Sequence, residues 1–73
     1  MDQQELQKRM RKAAHDVRTP ITSITGFADL IAEDRSVSAG TREMAATIAA
    51  ETRRLSEMLE SFFDEISVPL EAE

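Results

Sequence analysis

The hexapeptide at residues 15–20, HDVRTP, carries the residue types of this chain that are best suited to chemistry. It holds the only histidine among the 73 residues, and Asp16 follows that histidine directly. A carboxylate that accepts a hydrogen bond from one imidazole nitrogen fixes the tautomer of the ring and leaves a lone pair on the other nitrogen. His15 is therefore a candidate nucleophile, and Asp16 is the candidate group that orients it.

Two further residues of the hexapeptide bear on the same site. Thr19 lies four residues after His15, so on a helix its hydroxyl shares the face of the histidine one turn along. Pro20 has no N–H to donate to the carbonyl of Asp16, and a proline inside a helix costs on the order of 3 kcal/mol. We expect the helix to bend or loosen there. The alternative is that Pro20 begins a second helix with Thr19 as its N-cap.

A phosphoryl group is the electrophile that suits an exposed, neutral imidazole, because its in-line transfer depends mainly on positioning and charge neutralisation. Arg18 adds a positive charge three residues from His15, although a solvated arginine is the commoner explanation. A metal site is disfavoured, because the chain has one histidine and no cysteine. The competing interpretation is an inert surface histidine.

Helical periodicity places the hexapeptide on a first helix, predicted from about residue 3 to residue 33. The apolar residues that recur there every seven positions are Met10, Val17, Ile24 and Ile31. This is the period of a left-handed helical bundle. With Met10 at heptad position a, His15 falls at position f, about 140° around the helix. The imidazole is therefore expected to face solvent, away from the apolar stripe.

A second helix is predicted from about residue 39 or 41 to residue 67, after a short polar connection within residues 34–40. Its apolar residues at the same spacing are Ile48, Leu55 and Phe62. Ser38 lies near its start as a cap, and Pro69 is expected to end it. Apolar stripes this broad cannot be buried by one partner helix. We therefore predict an all-α fold in one domain: an antiparallel helical hairpin that dimerises into a four-helix bundle.

Composition argues against several other classes of function. Nine basic and fourteen acidic residues give a formal net charge of −5, which disfavours nucleic-acid binding. No apolar run approaches the roughly 20 residues of a membrane span, so no direct membrane insertion is expected. The absence of cysteine excludes disulfides and is compatible with a cytoplasmic location. A parent protein could still carry a membrane anchor elsewhere.

Residues 13–31, AAHDVRTPITSITGFADLI, resemble the H-box of sensor histidine kinases. That motif reads His-Glu/Asp-hydrophobe-Arg-Thr-Pro-Leu-Thr-x-Ile, followed by Gly-Phe/Tyr-x-x-Leu-hydrophobe. Residues 51–67, ETRRLSEMLESFFDEIS, are similar to the second helix of the same domain, with Phe62 and Phe63 where the family commonly has two leucines. The resemblance covers about residues 5 to 68. It implies a dimerisation and histidine-phosphotransfer domain of the histidine kinase A type.

The resemblance also implies a role for each residue of the site. His15 would accept the γ-phosphoryl group of ATP, with Asp16 as general base or orienting group. Thr19 would position water when the domain promotes dephosphorylation of its response regulator, and Pro20 would mark the hinge. The implied partners are a second copy of the chain, a histidine-kinase ATP-binding domain and the receiver domain of a response regulator, to whose aspartate the phosphoryl group passes.

No ATP-binding domain is recognisable in the sequence, since the two glycines, at positions 26 and 40, lie too far apart for a glycine-rich phosphate loop. The chain alone is expected to bind neither ATP nor any other cofactor or metal, and not to autophosphorylate. ATP and magnesium would be supplied through a separate catalytic domain, acting in cis or in trans. We interpret the chain as a fragment or an isolated module of a histidine kinase.

Two other interpretations remain open. One is a structural dimerisation bundle whose histidine is inert. The other is a monomeric histidine-phosphotransfer protein, although two helices are too few for its usual self-contained bundle. Leu30 falls on the His15 side of the first helix and could help to dock a response regulator, unless the bend at Pro20 rotates it into the bundle.

Overall fold

The computed structural model describes residues 2–71, and their side chains as far as residue 66. Two helices form, α1 over Gln3–Glu33 and α2 over Ala39–Glu71. They pack side by side as an antiparallel hairpin with principal extents of 53 × 16 × 13 Å. The described residues contain no β-strand. The predicted all-α helical hairpin is therefore confirmed.

The first helix begins and ends at polar caps. At its start the carboxylate of Asp2 accepts a hydrogen bond from the backbone N–H of Glu5 at 2.7 Å, which satisfies one of the free donors of the first turn. After its end, Asp34 accepts hydrogen bonds from the backbone N–H of Ser36 at 2.9 Å and from its hydroxyl at 2.6 Å. These bonds hold the pKa of Asp34 below its usual value and fix the turn that reverses the chain.

Ser38 is the N-cap of the second helix. Its hydroxyl accepts a hydrogen bond from the backbone N–H of Thr41 at 3.2 Å, and its carbonyl accepts one from the N–H of Arg42 at 3.0 Å. Because this cap fixes the first turn, α2 begins at Ala39, the earlier of the two expected starts. It also extends to Glu71, beyond the end expected near residue 67. A proline in the last turn, here Pro69, removes only one hydrogen bond and need not terminate the helix.

Small residues dominate the seam between the helices. Four side chains are buried in the hairpin: Ile21, Ala28, Ala45 and Ala49. Ala49 is only 1% exposed, and short side chains at such positions allow two helix backbones to approach closely. Halfway along the seam the hydroxyls of Thr25 and Thr52 lie 2.6 Å apart and share a hydrogen bond. This pair fixes the relative position of the two helices along their axes.

Large apolar residues remain outside the seam, in two stripes on one side of the hairpin. On α1, Ile24 and Ile31 lie about 60–80° around the helix from Ile21, and on α2 the residues Ile48 and Leu55 are offset from the seam in the same sense. Ile24 is 48% exposed although it occupies a predicted core position. The predicted stripe therefore divides into a part that packs on the partner helix and a part that is open. The large apolar side chains left exposed are Leu6, Ile24, Phe27, Leu30, Ile31, Met44, Ile48, Leu55, Met58, Phe62 and Ile66.

Neither helix, over the residues described, combines the length and the apolar character that crossing a bilayer requires.

Candidate functional site

His15 lies in the N-terminal half of α1 and is exposed to solvent. At 100° per residue its side chain is about 120° around the helix from Ile21, which packs on α2, and about 180° from Ile24 in the open apolar stripe. The imidazole therefore faces away from both apolar surfaces of the hairpin. This agrees with the solvent-facing position that the heptad pattern predicts, and it leaves the ring nitrogens accessible to a reactant in solution or on another domain.

Asp16 is engaged by a residue outside the predicted site. Its carboxylate accepts a hydrogen bond from the Nζ of Lys12 at 2.7 Å, one helical turn earlier. This bond lowers the pKa of Asp16, with a smaller contribution from His15, and the same bond raises the pKa of Lys12. Among the described side chains no hydrogen bond joins Asp16 to the imidazole, so its orienting role stays a prediction. The four-residue spacing from Lys12 to Asp16 was the sequence signal for this pair.

Thr19 directs its hydroxyl back into its own helix. The hydroxyl donates a hydrogen bond to the backbone carbonyl of His15 at 3.1 Å. This contact ties the threonine to the turn that carries the histidine, and such bonds tend to bend a helix. The side chain is nevertheless exposed, on the same flank of α1 as the imidazole. A change to another staggered rotamer about its first side-chain torsion would free the hydroxyl for another partner.

Pro20 lies inside α1, which runs unbroken through it. The alternative in which Pro20 begins a separate helix capped by Thr19 is therefore wrong, since Thr19 is itself helical. The proline leaves the carbonyl of Asp16 without its usual helical donor. The turn between residues 16 and 20 thus lacks one backbone hydrogen bond within five residues of His15.

Arg18 connects the histidine turn to the second helix. Its guanidinium lies 3.4 Å from the carboxylate of Glu60, and both side chains are about half exposed. A similar cross-helix pair joins Asp29 to Arg53. The positive charge near His15 is therefore held against α2 rather than left free in solvent, a contact that the sequence alone did not indicate.

Leu30 is 64% exposed, about 60° around α1 from His15. It therefore lies outside the seam of the hairpin. Among the described residues no group of three or more histidine, cysteine, aspartate or glutamate side chains is placed to hold a metal ion. The site as it stands is an exposed imidazole, a carboxylate and a hydroxyl on one flank of a helix.

The sequence of the chain matches a known protein family. The sequence model of the HisKA family, described as the His Kinase A (phospho-acceptor) domain, matches residues 5–66. No curated protein and no solved structure matches the chain. The matched range includes the whole hexapeptide and most of both helices. The resemblance to the histidine kinase A type is confirmed, and the chain belongs to the HisKA family of histidine-kinase phosphoacceptor domains.

Proposed function

We propose that this chain is the dimerisation and phosphoacceptor module of a two-component sensor histidine kinase, with His15 as the residue that accepts the phosphoryl group. The observation that carries the proposal is the position of the only histidine. It lies within the HisKA match and is exposed on the face of α1 that is turned away from both α2 and the open apolar stripe. A catalytic domain can approach that face without disturbing either apolar surface.

In the proposed step, the lone pair of one imidazole nitrogen attacks the γ-phosphorus of ATP. A nitrogen–phosphorus bond forms while the bond from the γ-phosphorus to the bridging oxygen breaks, and ADP leaves with that electron pair. The ring gains positive charge as the bond forms. A carboxylate beside the other ring nitrogen stabilises this charge and can accept its proton, and this is the role proposed for Asp16.

The phosphoryl donor is ATP with magnesium, bound by a separate ATP-binding domain of the kinase. The contribution of this chain is to hold the imidazole in the open and to supply Asp16 beside it. The guanidinium of Arg18 lies about 60° around α1 from His15, and it would have to leave its pair with Glu60 to add positive charge at the site. Since the site and its reactants are those of ATP-dependent signalling, we place its function in the cytoplasm.

The second transfer proposed is from phosphorylated His15 to an aspartate on the receiver domain of a response regulator. An oxygen of that aspartate attacks phosphorus, the nitrogen–phosphorus bond breaks, and the electron pair returns to the imidazole. The exposed side chain of Leu30 supports docking of the receiver domain on this side of α1, because it offers apolar area on the flank of His15, about 22 Å further along the helix. Thr19, on the flank of His15, is proposed to position water when the module promotes dephosphorylation of the regulator.

A second copy of this chain is the proposed occupant of the open apolar stripe. Among the described side chains only four are buried in one hairpin, whereas eleven large apolar ones remain exposed. Surface this apolar is uncommon on a monomer. Because the stripes of α1 and α2 lie on the same side, two hairpins can cover them together and form a four-helix bundle. His15 stays outside such an interface, since it points away from Ile24.

The experiment that tests the proposal supplies the chain with a histidine-kinase catalytic domain, ATP and magnesium. Phosphate that is labile in acid and stable in alkali is expected on the wild-type chain and absent from His15→Gln. The catalytic domain is first shown to be active on a phosphoacceptor domain of its own. Equal labelling of both variants, or no labelling of either, would favour the structural bundle with an inert histidine.

A further inference from the structure

The ion pair between Lys12 and Asp16 is not used in the proposed function. It engages the carboxylate that the proposed chemistry at His15 requires. The Nζ of Lys12 donates to one oxygen of Asp16 at 2.7 Å. Both side chains lie on the surface, with relative exposures of 77% and 54%. The carboxylate is therefore free to exchange partners without crossing any packed interior.

The helix geometry makes Lys12 and His15 alternative partners for Asp16. Lys12 is one turn before the carboxylate on the same strip of the helix surface, whereas the side chain of His15 is about 100° away around the helix. Reaching the imidazole therefore requires a different side-chain rotamer of Asp16. In the rotamer that the structure shows, the carboxylate is turned to Lys12.

No other cation competes in this way. Arg18 is paired with Glu60 on α2, and Arg9 is paired with Glu5 at 3.4 Å. Arg11 is about 140° around the helix from Asp16, because it is five residues earlier. Lys12 is therefore the one basic side chain of α1 that the described structure places on this carboxylate.

We propose that Lys12 is a positioning residue, which holds Asp16 away from His15 in the resting hairpin and must release it before the carboxylate can orient the imidazole. The inference rests on the proposed function of His15 and Asp16. It implies that the resting site is restrained: the nucleophile is exposed, but its carboxylate is engaged elsewhere. A kinase domain that draws Lys12 away, through an acidic group or the phosphates of its nucleotide, would thereby bring Asp16 to the ring.

The first test is independent of ATP and of any partner. The ¹⁵N chemical shifts of the His15 imidazole report which ring nitrogen carries the proton. In Lys12→Met the freed carboxylate is expected to shift the tautomer ratio by about twofold, because exposed ion pairs one turn apart are weak. Lys12→Arg retains a donor for Asp16 and is expected to match the wild type. Lys8→Met removes an exposed lysine one turn earlier and is expected to change nothing.

The double variant Lys12→Met, Asp16→Asn decides whether the effect passes through the carboxylate. The tautomer shift is expected to disappear in it. An unchanged tautomer ratio in Lys12→Met, or the same shift with Asp16→Asn present, would overturn the proposal, because Asp16 would then not be the group that Lys12 restrains.

The second test measures the rate at which a catalytic domain with ATP and magnesium phosphorylates His15. Lys12→Met is expected to react about twofold faster, and the gain is expected to vanish with Asp16→Asn. A slower or unchanged rate contradicts the positioning role. If no variant is labelled at all, the proposed phosphoacceptor function fails, and the tautomer measurement still decides between Lys12 and His15 as partners of Asp16.

Discussion

At the residue scale, the proposed chemistry depends on which side chain binds the carboxylate of Asp16. It accepts a hydrogen bond from Lys12 at 2.7 Å, and this bond is the main cause of its lowered pKa. At neutral pH Asp16 is therefore ionised, and it is ready to accept a hydrogen bond from an imidazole N–H once Lys12 departs. The charge of the carboxylate, and not only its shape, is what the proposed step uses.

Replacing Asp16 by asparagine keeps the shape of the side chain and removes its charge. We expect phosphorylation of His15 to slow by about 10²-fold, because a positioned acid–base group typically contributes 10²–10⁴-fold. The dimer is expected to remain intact, since Asp16 lies outside the open apolar stripe. Single-turnover labelling and light scattering on the same preparations measure the two properties. Loss of the dimer together with activity would mean that Asp16 has a structural role.

Thr19 separates the two reactions proposed for the site. Thr19→Ala removes the hydroxyl that donates to the carbonyl of His15, and it leaves the imidazole in place. We expect phosphorylation of His15 to stay within about twofold of wild type, whereas dephosphorylation of the response regulator falls by about tenfold. Thr19→Ser, which keeps the hydroxyl, is the matched control. Equal losses in both reactions would contradict this division of roles.

The exposure of His15 was predictable from the sequence, whereas the partner of Asp16 was not. The heptad position of the histidine depends only on helix periodicity, which the packing of the whole chain enforces. The choice of Asp16 between Lys12 and His15 depends on the rotamer of one exposed side chain, where the competing contacts differ little in energy. The sequence spacing is compatible with Asp16 pairing to either Lys12 or His15, and only the three-dimensional structure distinguishes the two pairs.

At the scale of the elements, Pro20 is the feature that sets α1 apart from a plain packing helix. The helix continues through it, although the carbonyl of Asp16 loses its usual donor. One residue earlier, the carbonyl of His15 accepts a hydrogen bond from the hydroxyl of Thr19 at 3.1 Å. The proline is thus accommodated without ending the helix, at the expense of local stability.

Pro20→Ala is expected to stabilise the protein. Alanine restores the missing hydrogen bond and removes the clash of the ring with the preceding turn, so the free energy of unfolding should rise by about 1–3 kcal/mol. Thermal unfolding followed by circular dichroism, at one fixed chain concentration, measures this change. A lower stability than wild type would show that the ring makes packing contacts worth more than the backbone bond.

The close seam between the helices depends on alanine. At Ala49, which is 1% exposed, a larger side chain has no space, and Ala49→Leu is expected to destabilise the hairpin by about 1–3 kcal/mol. Ala50→Leu, at the adjacent exposed position, is the matched control and should change the stability by less than about 0.5 kcal/mol. Denaturant unfolding of the two variants gives the difference. Equal effects would mean that the helices are not closely packed at Ala49.

The helices themselves were predictable, but their seam was less so. A seven-residue apolar period identifies α1 and α2, and polar residues mark the reversal between them. The seven-residue period does not indicate which residues of a broad apolar stripe pack against the neighbouring helix. The structure buries Ala28 and Ala45 and leaves Ile24 and Ile31 open. Small residues pack where backbones approach closely, and this follows from the three-dimensional pairing rather than from hydropathy.

At the scale of the whole molecule, the hairpin is a thin rod with one apolar side. Its two shorter extents are 16 and 13 Å, so it has almost no interior of its own. Chains of this size bury a modest fraction of their surface, so a single hairpin has little core to stabilise it. Apart from Leu30 on the His15 side, the large apolar side chains left exposed in the described part of the chain support the proposal that a second copy completes the core.

Leu55→Lys tests the pairing of two hairpins. The wild-type chain is expected to have twice the 8.2 kDa mass of one chain in light scattering. A lysine at Leu55 places a charge in the proposed interface and should raise the dissociation constant by at least about tenfold. Ala46→Lys, about 180° around α2 from Leu55, is the matched control and should leave the mass unchanged. A monomeric wild-type chain at high concentration would contradict the proposed bundle.

If α1 tilts at Pro20, the N-terminal part of the helix acts as a lever whose pivot is close to the histidine. Seventeen residues, Gln3 to Thr19, precede the pivot and span about 25 Å, whereas His15 is only about 7.5 Å from it. A tilt of about 10° would sweep the far end through about 4 Å and the histidine through only about 1 Å. A movement of several ångströms at the N-terminal end of α1 would thereby be reduced at His15 to the scale of about 1 Å on which a nucleophile is aligned with its target.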